Sequence, residues 1–157
     1  GTLSPFALVQ EIREWFDGPV ALSGSIANGA AVLGAQAMGA DFVVVAVPGG
    51  KATHHLIGAD AFAAMKRTGI FINIARGDVV DEAALVAALQ AGRIAGAGLD
   101  VYEFEPAVPP ALVAMENVTL LPHLGTACLE VRENMGLMAV ANLIAHLEGR
   151  DLPNRVN

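Results

Sequence analysis

Six consecutive apolar residues, Phe42-Val43-Val44-Val45-Ala46-Val47, run into Pro48-Gly49-Gly50. A strand wetted on one face alternates apolar and polar side chains. This one does not, so both of its faces need cover, as in the middle of a parallel sheet. Its neighbours in sequence support that setting. Strand-like runs at residues 20–23, 70–74, 94–101 and 118–121 are separated by helical patterns at residues 28–38, 59–66 and 81–91, the last capped by Asp81. Ser4 and Pro5 open a further helix ahead of the first strand, and a long helix over 126–148 closes the chain, with Leu137, Val140, Ala141, Ile144 and Leu147 on one face. Alternating strands and helices predict an α/β fold: a Rossmann-like open parallel sheet of about five strands with flanking helices. Neither a repeat nor a linker divides the 157 residues, which read as a single domain.

Composition narrows the function. Hydrophobic residues make up 54% and charged residues 16%, with a net charge of −7. An acidic chain without a basic stripe does not suit nucleic acid or anionic lipid. Residues 18–40 carry no charge and could span a bilayer by length, but Pro19, Ser23, Ser25, Asn28, Gln36 and scattered glycines break them into a strand, a turn and a helix. With no basic region ahead of an apolar one at the N-terminus and a single cysteine, Cys128, the expectation is a cytoplasmic protein with no membrane segment. Cys128 is expected to be a buried, inert thiol, and His146 to pack on the last helix. His54 and His55 are read as structural or solvated, and no Cys/His cluster has metal-ligand spacing.

Three polar residues stand just past strand ends: Arg76, Glu105 and His123. The carboxyl ends of parallel strands line the ligand crevice of such sheets. A cation, a carboxylate and an imidazole meeting there can do acid–base work on a carbonyl. Around them lie three blocks: Ala75-Arg76-Gly77-Asp78-Val79-Val80-Asp81-Glu82, Gly98-Leu99-Asp100-Val101-Tyr102-Glu103-Phe104-Glu105-Pro106 and Leu121-Pro122-His123-Leu124-Gly125. In this order and spacing they resemble the D-2-hydroxyacid dehydrogenases, over roughly residues 41–157. The resemblance implies hydride transfer between NAD or NADP and a small 2-keto or 2-hydroxy acid. It implies His123 as the acid that protonates the keto oxygen, Glu105 as its partner, and Arg76 as the group that grips the substrate carboxylate. Asp100 would meet the nicotinamide carboxamide, and Val47, Pro48, Ile74 and Ala75 would border the dinucleotide.

The first segment, to about residue 41, is of a different kind. Gly18-Pro19-Val20-Ala21-Leu22-Ser23-Gly24-Ser25-Ile26-Ala27-Asn28-Gly29 resembles a strand–helix piece of the nitronate monooxygenases, which are FMN-dependent TIM barrels. That resemblance implies a turn at Gly24 and Ser25 able to meet a flavin phosphate, and a chain recombined from two folds with its junction near residue 41. The Gly-x-Gly-x-x-Gly turn of dinucleotide sites does not follow the first strand, and neither an acid at the end of the second strand nor the family's substrate domain is found. The first expectation is therefore a module that keeps the Arg/Glu/His set but is inactive. The alternatives are an active 2-hydroxyacid oxidoreductase, or a phosphate or FMN binder through residues 24–28. A short first half would leave one sheet face bare, which predicts a homodimer.

Overall fold

The computed structural model describes residues 17–18, 21–23 and 41–155. The expected helices over 4–16 and 28–38, and the turn with Gly24 and Ser25, lie outside them. The chain divides into two compact units, residues 1–122 and 123–157.

The first unit is built on a five-stranded sheet in the order β1-β2-β3-β4-β5: Ala21–Ser23, Phe42–Val45, Ile70–Asn73, Gly96–Leu99 and Val118–Leu120. Every neighbouring pair is parallel, with Ala21 opposite Phe42, Phe42 opposite Ile70, Ile70 opposite Gly96, and Ala97 opposite Val118. This is the sheet that the unalternating run at residue 42 demanded, and the fold class is the expected one. Helix α1 (Ala59–Ala64) and helix α2 (Glu82–Gln90) connect the central strands. Phe62 of α1 meets Phe71 of β3 edge to face, with ring centroids 5.1 Å apart, so α1 lies on the face that carries Phe71. Val43, Val45, Ile57, Phe62, Phe71, Leu85, Leu89, Ile94 and Leu99 form the core of this layer.

Helix α2 begins where its sequence says it should. Asp81 caps α2 by accepting a hydrogen bond from the Ala84 N–H at 2.9 Å. Two elements went unread in the sequence. A 3₁₀ turn spans Gly77–Val79, and helix α3 spans Pro110–Val113. Pro110 at the first position of α3, and Leu112 buried beneath it, were the available signal, hidden by the density of prolines around them.

In the second unit, helix α4 (Leu129–Leu147) falls within the expected limits. The chain after it returns to Asn142, whose side chain exchanges two hydrogen bonds with Asn154, at 3.0 and 3.1 Å. Two expectations are corrected here. Cys128 is exposed rather than buried: it precedes the first turn of α4 and its thiol donates to the Glu130 carboxylate at 2.8 Å. That interaction holds the Glu130 carboxyl below its ordinary pKa. His146 is exposed in the last turn of α4 instead of packed among the leucines, a position that suits a cation at a helix C-terminus. Among the described residues no helix is long and apolar enough to cross a membrane.

Candidate active site

Strands β2 and β3 run paired residue for residue until Val45 meets Asn73. One further rung, from the Ile74 N–H to the Val45 carbonyl at 3.3 Å, closes the ladder. The expected strand over 42–47 thus stops two residues early. Beyond Val45 the two chains part and bound a cavity of about 680 Å³, lined by residues 46–50, Ile74, Ala75, Arg76 and Asp78. This is the position at the carboxyl ends of parallel strands where such sheets bind ligands. Five residues singled out in the sequence, Val47, Pro48, Ile74, Ala75 and Arg76, meet at this one cavity.

Arg76 gets there through a residue that sequence patterning does not flag. Asn73, 1% exposed, turns the chain at the end of β3 with its side-chain amide. Its carbonyl oxygen accepts from the Ala75 N–H and its amino group donates to the Arg76 carbonyl, both at 3.0 Å. A buried Asn inside an apolar strand is costly unless both ends of the amide are paired, and here both are. That polar residue in the run Ile70-Phe71-Ile72-Asn73-Ile74 was the signal that could have found it. The aliphatic stem of Arg76 then lies on Gly49: a Cβ there would sit 2.6 Å from the Arg76 Cγ. Gly49, read from the sequence as a strand terminator, is in addition the floor under the arginine.

The end of β4 supplies the next group. Asp100 is buried, and its N–H donates to the Asn73 carbonyl at 3.1 Å, so the two strand ends are stitched together. Tyr102 is buried beside it and its hydroxyl donates to the Leu121 carbonyl at 2.8 Å. Burial, with the Asp100 carboxylate and its acidic neighbours, pushes the phenol pKa up. Glu105 is exposed, and its Oε1 accepts from the Tyr102 N–H at 3.0 Å. His123 belongs to the second unit and has φ of 56°, one of two positive-φ residues other than glycine among those described. Such strained backbone gathers at functional sites. Gly24 and Ser25 fall outside the described residues.

The cavity suits one end of a nicotinamide dinucleotide. Its size is that of a small-molecule site. Gly49 and Gly50 present main chain to it, Ile74 offers an apolar side chain that is 56% exposed, and Arg76 and Asp78 add one charge of each sign. Among the described residues no group of three His, Cys, Asp or Glu could hold a metal ion.

Residues 28–125 match the model of the D-isomer specific 2-hydroxyacid dehydrogenase family, NAD binding domain. The chain belongs to this family. Curated relatives of this dehydrogenase domain include the glyoxylate/hydroxypyruvate reductase B of Escherichia fergusonii, 56% identical over 119 residues, covering 75% of this chain and 37% of that protein. The counterpart from Citrobacter koseri is 54% identical over the same length. A crystal structure of the NADPH-dependent glyoxylate/hydroxypyruvate reductase of Sinorhizobium meliloti, in complex with NADP and malonate, superposes with a TM-score of 0.76 at 45% identity, over 80% of this chain and 39% of that one. The holo form of Rhodotorula graminis D-mandelate dehydrogenase gives 0.75 at 38% identity, over 80% and 36%. The chain thus spans little more than a third of the relatives it matches. The family match begins at residue 28, inside the segment read as resembling nitronate monooxygenases, and that resemblance has no counterpart among these matches.

Proposed function

We propose that this chain is the dinucleotide-binding and catalytic part of a reductase that converts a small 2-keto acid, of the glyoxylate or hydroxypyruvate class, into the 2-hydroxy acid at the expense of NADPH or NADH. The observation that carries the reading is Arg76 at the rim of the cavity between the parting ends of β2 and β3, in a chain more than half identical to glyoxylate/hydroxypyruvate reductases over its matched length. The reduced nicotinamide, when bound, supplies the reducing equivalent. The guanidinium of Arg76 holds the substrate carboxylate with its planar fork and draws charge from the keto oxygen. By the family resemblance, His123 donates the proton that this oxygen needs and Glu105 is its partner. Asp100 holds the carboxamide of the cofactor, and Val47, Pro48, Ile74 and Ala75 form its wall. A cytoplasmic location and a homodimer go with this reading.

A second reading follows the resemblance of residues 18–29 to a nitronate monooxygenase piece: a recombined module that carries these residues as relics. Each hydrogen bond that the cofactor fails to make costs about 1–3 kcal/mol, so every one of them should weaken nicotinamide affinity by roughly ten- to a hundredfold. Titration of the chain with NADPH, followed by glyoxylate and hydroxypyruvate turnover, tests both. Saturable binding with turnover that His123→Asn abolishes is the expected result. Binding without turnover, or no NADPH binding at millimolar cofactor, overturns the reductase reading and favours the relic. FMN binding in place of NADPH would point instead to residues 24–28.

A further inference from the structure

His55 and Glu103 do not border the cavity, yet they join every loop that does. The Glu103 carboxylate is 12% exposed, and its Oε1 accepts from the His55 Nε2 at 2.7 Å. Its Oε2 accepts from the Glu82 N–H at the start of α2, at 3.3 Å, and the Glu103 N–H donates to the Glu82 carboxylate at the same distance. One acid therefore spans the loops that follow β2, β3 and β4. The fit is tight. A Cβ on Gly77 would lie 1.9 Å from the Tyr102 carbonyl carbon and 2.4 Å from the Glu103 nitrogen, so these loops touch backbone to backbone.

His55 is held in a state it would not choose. Its φ is 49°, the left-handed region that non-glycine side chains seldom enter. It stays there because its N–H donates to the Asp78 carbonyl at 2.8 Å, its ring bonds Glu103, and the His54 ring stacks on it at 4.0 Å. Two residues earlier, the Thr53 hydroxyl donates to the Pro48 carbonyl at 2.8 Å. The loop fixed by His55 is thus tied at its other end to the cavity wall. Asp78, which His55 grips, lines the same cavity. These ties join the loops that follow the carboxyl ends of β2, β3 and β4.

We infer that Glu103 and His55 are positioning residues: a clasp that sets residues 47–50 and the Arg76–Asp78 turn at the separation that cofactor and substrate require. This rests on the reductase reading above. Three variants of the whole chain test it: His55→Leu, His55→Gln and Glu103→Gln. The first two share any backbone strain, but glutamine keeps an N–H donor within reach of Glu103. Glu103→Gln keeps the acceptor for the Glu82 N–H, so α2 stays capped. NADPH titration, urea unfolding and amide exchange at Thr53 and Leu56 are the measurements.

The expected result is NADPH binding about tenfold weaker in His55→Leu and Glu103→Gln. The exchange of the Thr53 and Leu56 amides quickens, the urea midpoint moves little, and His55→Gln recovers most of the affinity. Wild-type affinity in His55→Leu overturns the positioning role. So does an affinity that falls only as stability falls, with glutamine no better than leucine. A wild-type chain that protects these amides but binds no NADPH overturns the reductase reading, and the role with it, while leaving the clasp as architecture.

Discussion

Glu82 shows how a single side chain couples burial to charge. It opens α2, is 6% exposed, and its carboxylate receives the Glu103 N–H. Burial raises its pKa above the ordinary 4.5; the Glu103 carboxylate adds to the rise, while the hydrogen bond from the Glu103 N–H opposes it. The folded protein therefore holds this proton to higher pH than the unfolded chain does. The contribution to stability is complete below the unfolded value and is lost as pH rises through the folded one. In Glu82→Gln the acceptor remains and the charge is gone. Its melting temperature relative to wild type should therefore rise as pH goes from about 4 to about 7. A difference that stays flat across that range would show that burial does not govern this carboxyl. Residues of this kind are where sequence reading runs short. Arg76 could be found from its place after an apolar run. Asn73 could have been found as the one polar residue in an apolar run, whereas Glu82 and Glu103 act through partners up to 48 residues away in the clasp, and nothing local marks them.

At the level of elements, the sequence spoke clearly wherever hydrophobic pattern decides structure. The strands at 42, 70 and 118 and the helices at 59, 82 and 129 begin within three residues of expectation, because period and capping are local properties. Strand ends were less legible. Val47 and Ile74 are as apolar as the paired residues before them, yet the ladder closes with the Ile74 N–H and only the divergence of the two chains ends it there. The glycine-rich strand β4 separates the two kinds of information again. Gly98 would carry a Cβ only 3.8 Å from the Ile72 Cγ1, an ordinary separation, whereas Gly77, in the turn after β3, would drive one into the Tyr102 main chain. Gly77→Ala should cost about 3 kcal/mol or more, and Gly98→Ala less than about 1 kcal/mol. Urea unfolding of the two variants, side by side, measures this. Equal losses would mean that the loops after β3 and β4 can move apart freely, which would also weaken the case for the clasp.

For the whole molecule, strand order and handedness decide what is left to cover. Among the described residues, parallel strands in sequence order joined by right-handed crossovers put α1 and α2 on one face. On that face Val43, Val45 and Phe71 are at most 3% exposed. On the other, Phe42, Val44, Ile70 and Ile72 are only half-buried, and the register sets Phe42 beside Ile70 and Val44 beside Ile72. Four large apolar side chains in one patch favour association with a second copy of the chain. We expect light scattering at tens of micromolar protein to report a dimer. Ile72→Glu should shift it towards monomer, and its circular dichroism should keep the α/β signature, because Ile72 points away from the layer formed by α1 and α2. A wild-type monomer would mean that this face is closed within one chain. A dimer indifferent to Ile72→Glu would move the interface elsewhere, and the exposed Leu129, Leu137, Leu143 and Leu147 of α4 would be the next surface to alter.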